Sequence, residues 1–158
     1  MRTIVANRID ERLIHGQVMT SWIKQYDPNK ILIIDAASAN NTFLSRILFA
    51  AAPKNLELLI KTEEQAISYL QEPSDEGERI FILAKTPAPF LKVVESGIAL
   101  NEIILGNMGG APGRKRFNKN ISASPDELND LRSIIAAGVP VFCQMVPTDQ
   151  KENIEGLL

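Results

Sequence analysis

Six short apolar runs, each separated from the next by a longer amphipathic stretch, constrain this chain more than any other feature: residues 3–6, 30–34, 56–60, 79–84, 102–105 and 139–146. Residues 30–34 read Lys-Ile-Leu-Ile-Ile, and 79–84 read Arg-Ile-Phe-Ile-Leu-Ala. Near-continuous apolar runs of this kind suit strands covered on both faces, the condition of a parallel sheet. The stretches between them carry helix signals. Thr62-Glu-Glu-Gln65 is a capping-box pattern, followed by Ala66, Ile67 and Leu70 at helical spacing. Ser124-Pro-Asp-Glu127 repeats that logic, with Pro125 at the first helical position and Gly138 as the stop. Thr86-Pro87 opens another helix, with Phe90, Leu91 and Val94 on one face and Gly97 closing it. Phe43, Leu44, Ile47, Leu48 and Ala51 form the apolar face of a helix that Pro53 ends, and Val18, Met19, Trp22 and Ile23 face inward from a first helix starting near His15.

Strand and helix in alternation predict right-handed βαβ crossovers. The expected fold is α/β: a single domain over residues 1–158, an open, doubly wound, mainly parallel sheet with helices on both faces. A polar stretch between Lys115 and Ile121 reads as an extra strand, and residues 72–78 as a solvated loop.

The net charge of −2 argues against the basic stripe of a nucleic-acid binder and against a polybasic membrane anchor. No run of about 18 apolar residues spans a bilayer, and the start of the chain lacks a signal-peptide core, so the expectation is a cytoplasmic protein brought to any membrane by a partner. The lone Cys143 has no partner for an internal disulfide and reads as a small buried hydrophobe on a strand.

Ligands of open α/β sheets sit on the loops beyond the carboxyl ends of the strands. Directly after the first strand come Arg8, Asp10, Glu11 and Arg12, then His15-Gly16-Gln17 at the mouth of the first helix. A helix start offers unpaired N–H groups and a partial positive charge, arginines add bidentate donors for phosphate oxygens, and Gly16 lets the backbone approach a ligand. His15, the single histidine, is therefore a candidate phosphoryl-carrying nucleophile, with Arg8, Asp10, Arg12, Gly16 and Gln17 as its support. Asp10 either holds the second ring nitrogen or orients Arg8 or Arg12. No second histidine or cysteine cluster accompanies His15, so a metal is not expected. The glycine signatures of nucleotide binders and the nucleophile elbow of hydrolases are both missing.

A second loop after the fifth strand belongs on the same rim. It runs from Gly106 and Asn107 to the basic cluster Arg114, Lys115 and Arg116, read either as a docking patch for an acidic partner or as a solvated turn. Asp35, after the second strand, either lines the site or caps the next element. Trp22 is a core residue or a contact in a homo-oligomer. The competing functional readings are a module that binds an anion or phosphorylated partner on this rim without transferring anything, and a flavodoxin-like nucleotide binder.

Arg8-Ile-Asp-Glu-Arg-Leu-Ile-His-Gly-Gln-Val18 resembles the active-site signature of IIB components of the bacterial sugar phosphotransferase system, mannose/fructose/sorbose family. Gly106-Asn-Met108, the helix start at 122–126 and Gln144-Met-Val-Pro147 are similar to further parts of that family's pattern, so the resemblance covers almost the whole chain. It implies a protein-Nπ-phosphohistidine–sugar phosphotransferase in which His15 takes a phosphoryl group from a IIA protein and passes it to a sugar entering through the membrane subunits IIC and IID. It also implies the open α/β fold, no metal or organic cofactor, and a place at the inner face of the membrane. One departure is Asp35-Ala36-Ala37-Ser38, where many members have paired acids. Residues 146–152 and Lys85-Thr-Pro87 look most like members of the N-acetylgalactosamine type.

Overall fold

The computed structural model describes residues 1–158, apart from the side chains of Gln17 and Val18, so the roles expected of those two side chains lie outside the described residues. In chain order the elements are β1 Ile4–Asp10, α1 Gly16–Tyr26, β2 Lys30–Ile34, α2 Ala36–Ala39, α3 Thr42–Ala51, β3 Glu57–Lys61, α4 Glu63–Gln71 and β4 Ile80–Ala84. There follow α5 Pro87–Glu95, β5 Ile103–Asn107, β6 Lys115–Asn118, β7 Ile121–Ala123, α6 Pro125–Ala136, β8 Val141–Cys143, β9 Glu152–Asn153 and a closing 3-10 turn. Seven strands make one sheet in the order β3-β2-β4-β1-β5-β8-β9, parallel throughout except where β9 pairs with β8.

Strand side chains alternate between faces, and here both faces are covered. Ile31 and Ile33 of β2 pack with Met19 and Trp22 of α1 and Leu48 of α3. Leu32 and Ile34 of the same strand pack with Ala66 and Leu70 of α4, Phe90 of α5 and Leu131 of α6. That two-sided burial is why the strands read as unbroken apolar runs, and the expected doubly wound α/β fold is what the chain adopts. Both capping boxes form: Thr62 Oγ1 accepts from the Gln65 N–H and Ser124 Oγ from the Glu127 N–H, each reciprocated by the third helical residue.

Several expectations change. The first strand continues past residue 6 to Asp10, because its polar residues find partners inside the fold: the Asn7 amide donates to the Glu102 carbonyl at 3.0 Å, and Arg8 and Asp10 bond as described below. The last strand stops at Cys143 instead of running to residue 146, because the carbonyls of Gln144 and Met145 serve Arg8. The single extra strand near residues 115–121 is an antiparallel hairpin, β6–β7. The face expected of α3 is split. Leu48 is buried, but Phe43 is 71% and Ile47 49% exposed, since this helix lies at the β3 edge of the sheet and only one side of it meets the core. Trp22 is buried, with its indole N–H donating to the Met145 carbonyl at 2.9 Å, so it is a core residue and not an oligomer contact. Cys143 is buried and free, as expected.

The segment at 72–78 is more than a solvated loop. Glu78 is buried and receives Arg2 and Lys30 at 2.6 and 2.7 Å, with Asp75 and Ser74 joined to the same network. Burial alone pushes the Glu78 carboxyl up, but hydrogen bonds from Lys30, Ser74 and Arg2 outweigh it and hold the group below the usual carboxylate range. A carboxyl depressed in the folded state contributes stability above its unfolded pKa of about 4.3, lost as pH falls through the folded value. Glu78→Ala is therefore expected to cost about 2 kcal/mol at neutral pH, the scale of a lost charge-assisted hydrogen bond, since Glu72 and Asp75 still pair with Arg2. Its denaturant midpoint should converge on the wild-type one as both are titrated below about pH 4. A constant gap across that range would show that Glu78 contributes packing and not charge.

Candidate active site

β1 leaves the sheet on the α1 face, whereas its neighbours β4 and β5 lead to α5 and α6 on the other face. Chains diverging in this way open a crevice at the carboxyl end of β1. Into that crevice β1 delivers Arg8 and Asp10, side chains on the same face of the strand.

Arg8 does not stand in the open as a phosphate ligand, contrary to expectation. It is 1% exposed, with Nη1 donating to the Gln144 carbonyl at 2.9 Å and Nη2 to the Met145 carbonyl at 2.9 Å and to Asp10 at 3.4 Å. The Trp22 ring lies over its guanidinium at 4.8 Å. From the far side Gly106 closes in: a Cβ there would stand 2.2 Å from the Arg8 Cζ, so β5 can pass only without a side chain. Burial pulls the Arg8 guanidinium below the usual arginine range while Asp10 draws it back, and it stays a cation. Arg8 is thus an internal strut between β1 and the chain after β8.

Asp10 resolves the alternatives left open by the sequence. It is 2% exposed and accepts from the Arg12 backbone N–H at 3.0 Å, from Arg12 Nε at 3.1 Å and from Arg12 Nη2 at 3.1 Å, besides Arg8. It therefore orients both arginines. These hydrogen bonds hold the Arg12 guanidinium above its usual range. Within this trio one carboxylate faces two guanidiniums, a local excess of one positive charge. It is balanced only farther along the rim, where Glu11 and Glu127 share Arg114. Arg12, 30% exposed, is where that local excess meets solvent.

The chain then turns. The Leu13 N–H donates to the Asp10 carbonyl at 2.9 Å, and Leu13 takes a left-handed φ of 56°. For a leucine this backbone costs about 1–2 kcal/mol, and burial of Leu13 and Ile14 beside Met19 and Trp22 offsets it. The turn sets His15 at the N-cap of α1, extended at φ −144° and ψ 105°, exposed, with no capping hydrogen bond from its side chain. Gly16 follows at φ 41°. An exposed imidazole, a helix start with unpaired N–H groups and a guanidinium carrying the surplus charge are what transfer of an anionic group between two proteins requires.

The second rim loop is close by but differs from expectation. The Asn107 carbonyl accepts from the Glu11 N–H at 3.1 Å. Arg114 is not free: it pairs with Glu11 at 3.1 Å and with Glu127 at 2.8 Å and is 13% exposed. Lys115 and Arg116 are exposed on β6. Asp35 acts as a cap: it accepts from the Ser38 N–H at 3.3 Å and the Ser38 hydroxyl at the start of α2, and Lys85 approaches it at 3.5 Å. A cleft of about 470 Å³ lies between the ends of β5 and β8 and the hairpin, lined by Gly106, Asn118, Lys119, Gln144 and Met145 among others. His15 does not line it and sits instead on open surface. The partners of Arg8 were missed in the sequence because backbone carbonyls carry no residue-type signal. Glu127 was legible as the third residue of a capping box, but its link to Arg114 was not.

Known proteins share this arrangement of elements. Residues 4–158 match the family model described as the PTS system sorbose subfamily IIB component. The chain is 34% identical over 152 residues to the N-acetylgalactosamine-specific phosphotransferase enzyme IIB component 1 of Escherichia coli, covering 96% of each. It is 27% identical to the mannose-specific EIIAB component of the same species, covering 96% of this chain and 47% of that one. Among solved structures, the IIBSor domain of the sorbose permease from Klebsiella pneumoniae superposes with a TM-score of 0.93 at 30% identity, covering 98% of this chain and 95% of the other.

Proposed function

This chain belongs to the sorbose-subfamily IIB components of the sugar phosphotransferase system, and on that premise we propose that its single histidine, His15, carries the phosphoryl group. IIB components are phosphotransferases that work with IIA and with IIC and IID partners. The observation that carries the assignment is local: His15 is exposed at the start of α1, on the turn directly after the surplus positive charge of Arg12.

In the first step a ring nitrogen of His15 attacks phosphorus on the phosphohistidine of IIA. The donor's P–N bond breaks, a P–N bond to His15 forms, and one ring proton passes to the donor imidazole. Charge spreads over the three transferring oxygens, where Arg12 and the first-turn N–H groups of α1 offer donors. Asp10 aims Arg12, and Arg8 holds Asp10. In the second step a sugar hydroxyl presented by the IIC and IID subunits attacks the same phosphorus; the P–N bond breaks, a P–O bond forms, and the hydroxyl proton ends on the released ring. None of the described helices is long and apolar enough to cross a membrane. A cytoplasmic approach to those subunits is part of the proposal, and membership of the IIB family supports it.

The acceptor sugar is proposed to be an N-acetylhexosamine, supported by the similarity to the N-acetylgalactosamine-specific component and by the character of residues 146–152. A chase experiment tests the relay. The protein labelled by phospho-IIA is mixed with membranes holding the cognate IIC and IID, and with either N-acetylgalactosamine or sorbose. Label is expected to leave for N-acetylgalactosamine and to remain with sorbose. Label retained with every sugar would favour a regulatory module over a carrier.

A further inference from the structure

We infer that Glu11 is a positioning residue: clamped on Gly109 and Arg114, it sets the loop between β5 and β6 so that the exposed cations Lys115, Arg116 and Lys119 receive an acidic face of the phosphoryl-donor IIA protein. The inference rests on the proposed function for the identity of the partner.

Glu11 is the acid next to Asp10, yet its chemistry is directed elsewhere. Its Oε1 accepts from the Gly109 N–H at 2.9 Å and its Oε2 from Arg114 Nη1 at 3.1 Å, while its backbone N–H binds the Asn107 carbonyl. Three contacts from one residue thus hold the second rim loop at positions 107, 109 and 114. The fit at Gly109 is close: a Cβ there would lie 2.6 Å from the Glu11 Oε1. Arg114 continues the brace. Its Nη1 also donates to the Gly109 carbonyl at 2.9 Å, and its Nε and Nη2 donate to the two oxygens of Glu127, each at 2.8 Å. Glu127 is anchored by its own capping box with Ser124 at the start of α6. The β1–α1 turn, the second loop and α6 are therefore locked together by charge-assisted bonds.

The consequence is electrostatic as well as geometric. Glu11 and Glu127 set two negative charges against the one positive charge of Arg114, so the clamp takes Arg114 out of the basic cluster and is itself one charge negative. The hairpin that follows keeps Lys115, Arg116 and Lys119 exposed, and among the described residues none of the three lies within 4 Å of a carboxylate. A chain of net charge −2 therefore carries three uncompensated positive charges on one hairpin beyond the carboxyl end of β5, the neighbour of the strand that leads to His15. Such a separation steers an acidic partner toward one orientation. Glu11 itself would repel a phosphoryl group if it swung free; pairing with Arg114 keeps it away from that role.

The test measures binding of the cognate IIA protein to the wild type, to Glu11→Gln, to the triple variant K115A/R116A/K119A and to the combination, by calorimetry at low salt and again above about 0.15 M, where the Debye length falls to about 8 Å. The triple variant is expected to weaken binding about tenfold and to flatten its salt dependence. Glu11→Gln, which frees Arg114 and removes no cation, is expected to weaken binding about tenfold by misplacing the loop, while its salt dependence stays as steep as in the wild type. Combined, they should weaken it no further than the triple variant alone, since both act through one surface. Labelling of His15 by phosphoramidate, a small donor with nothing to dock, should be unchanged in Glu11→Gln. Wild-type affinity in Glu11→Gln, additive losses in the combination, or an equal loss of phosphoramidate labelling would each overturn the inference. Because binding is read without any transfer, a failure of His15 to accept phosphate would register separately, in the labelling alone.

Discussion

Asp10→Ala is expected to lose about 3–5 kcal/mol of folding stability, the largest loss of any single change around the site. The reason is that Arg8 lies 1% exposed with Asp10 as its carboxylate partner, and a buried cation without a counter-charge is far more expensive than the pair. The two carbonyls of Gln144 and Met145 remain to hold the guanidinium, but neutral acceptors do not neutralise it. The same substitution releases Arg12, whose Nε, Nη2 and backbone N–H all bond to Asp10. Stability and phosphoryl uptake should therefore fall together. Asp10→Asn, which keeps an acceptor for the Arg12 N–H while losing the charge, should fall between wild type and Asp10→Ala in its urea midpoint. If Asp10→Ala unfolded at the wild-type midpoint, Arg8 would not depend on Asp10 and the strut would be misread.

Arg12→Ala is expected to separate the two effects that Asp10→Ala joins. Arg12 is 30% exposed, and buried Asp10 keeps Arg8 and the backbone N–H of residue 12 when the side chain is removed, so the loss should stay at about 1–2 kcal/mol, well below that of Asp10→Ala. Phosphoryl uptake from phospho-IIA, by contrast, should slow by on the order of 10³-fold, the scale of removing an arginine that stabilises a transferring phosphoryl group. Arg12→Lys restores the charge without the planar fork that Asp10 grips at two nitrogens, and an intermediate rate is expected. Quench-flow measurement of label uptake at saturating donor reads this directly. A rate within threefold of wild type for Arg12→Ala would remove Arg12 from the transfer step.

What the sequence disclosed and what it hid divide along one physical line. Features that depend on residues a few places apart were legible. The capping boxes at Thr62 and Ser124 and the alternation of buried runs with amphipathic helices all form as read. The place of the motif around His15 was legible, since the chain does set it between the end of the first strand and the start of the first helix. The division of labour within it was not. Arg8 and Arg12 look equivalent in the sequence, two cations four places apart. Only the contacts with residues 144 and 145, more than 130 positions away, make one a strut and leave the other at the surface. The pairing of Glu11 with Arg114, 103 residues apart, was hidden for the same reason and made a tied arginine look like part of a free basic cluster. Glu78 likewise sits in a segment whose composition announces solvent, and it is buried because Arg2 and Lys30 converge on it. Long-range polar pairing defeats local reading, whereas apolar patterning does not.

Because the chain has a single histidine, one assay addresses the central claim without ambiguity. The protein is incubated with radiolabelled phosphoenolpyruvate, the general phosphotransferase components and the cognate IIA protein, beside an identically prepared His15→Gln variant. The wild type should take up one phosphate per chain that survives base and is lost in acid, as a phosphorylated imidazole is, and His15→Gln should take up none. Labelling of His15→Gln at the wild-type rate would contradict the account.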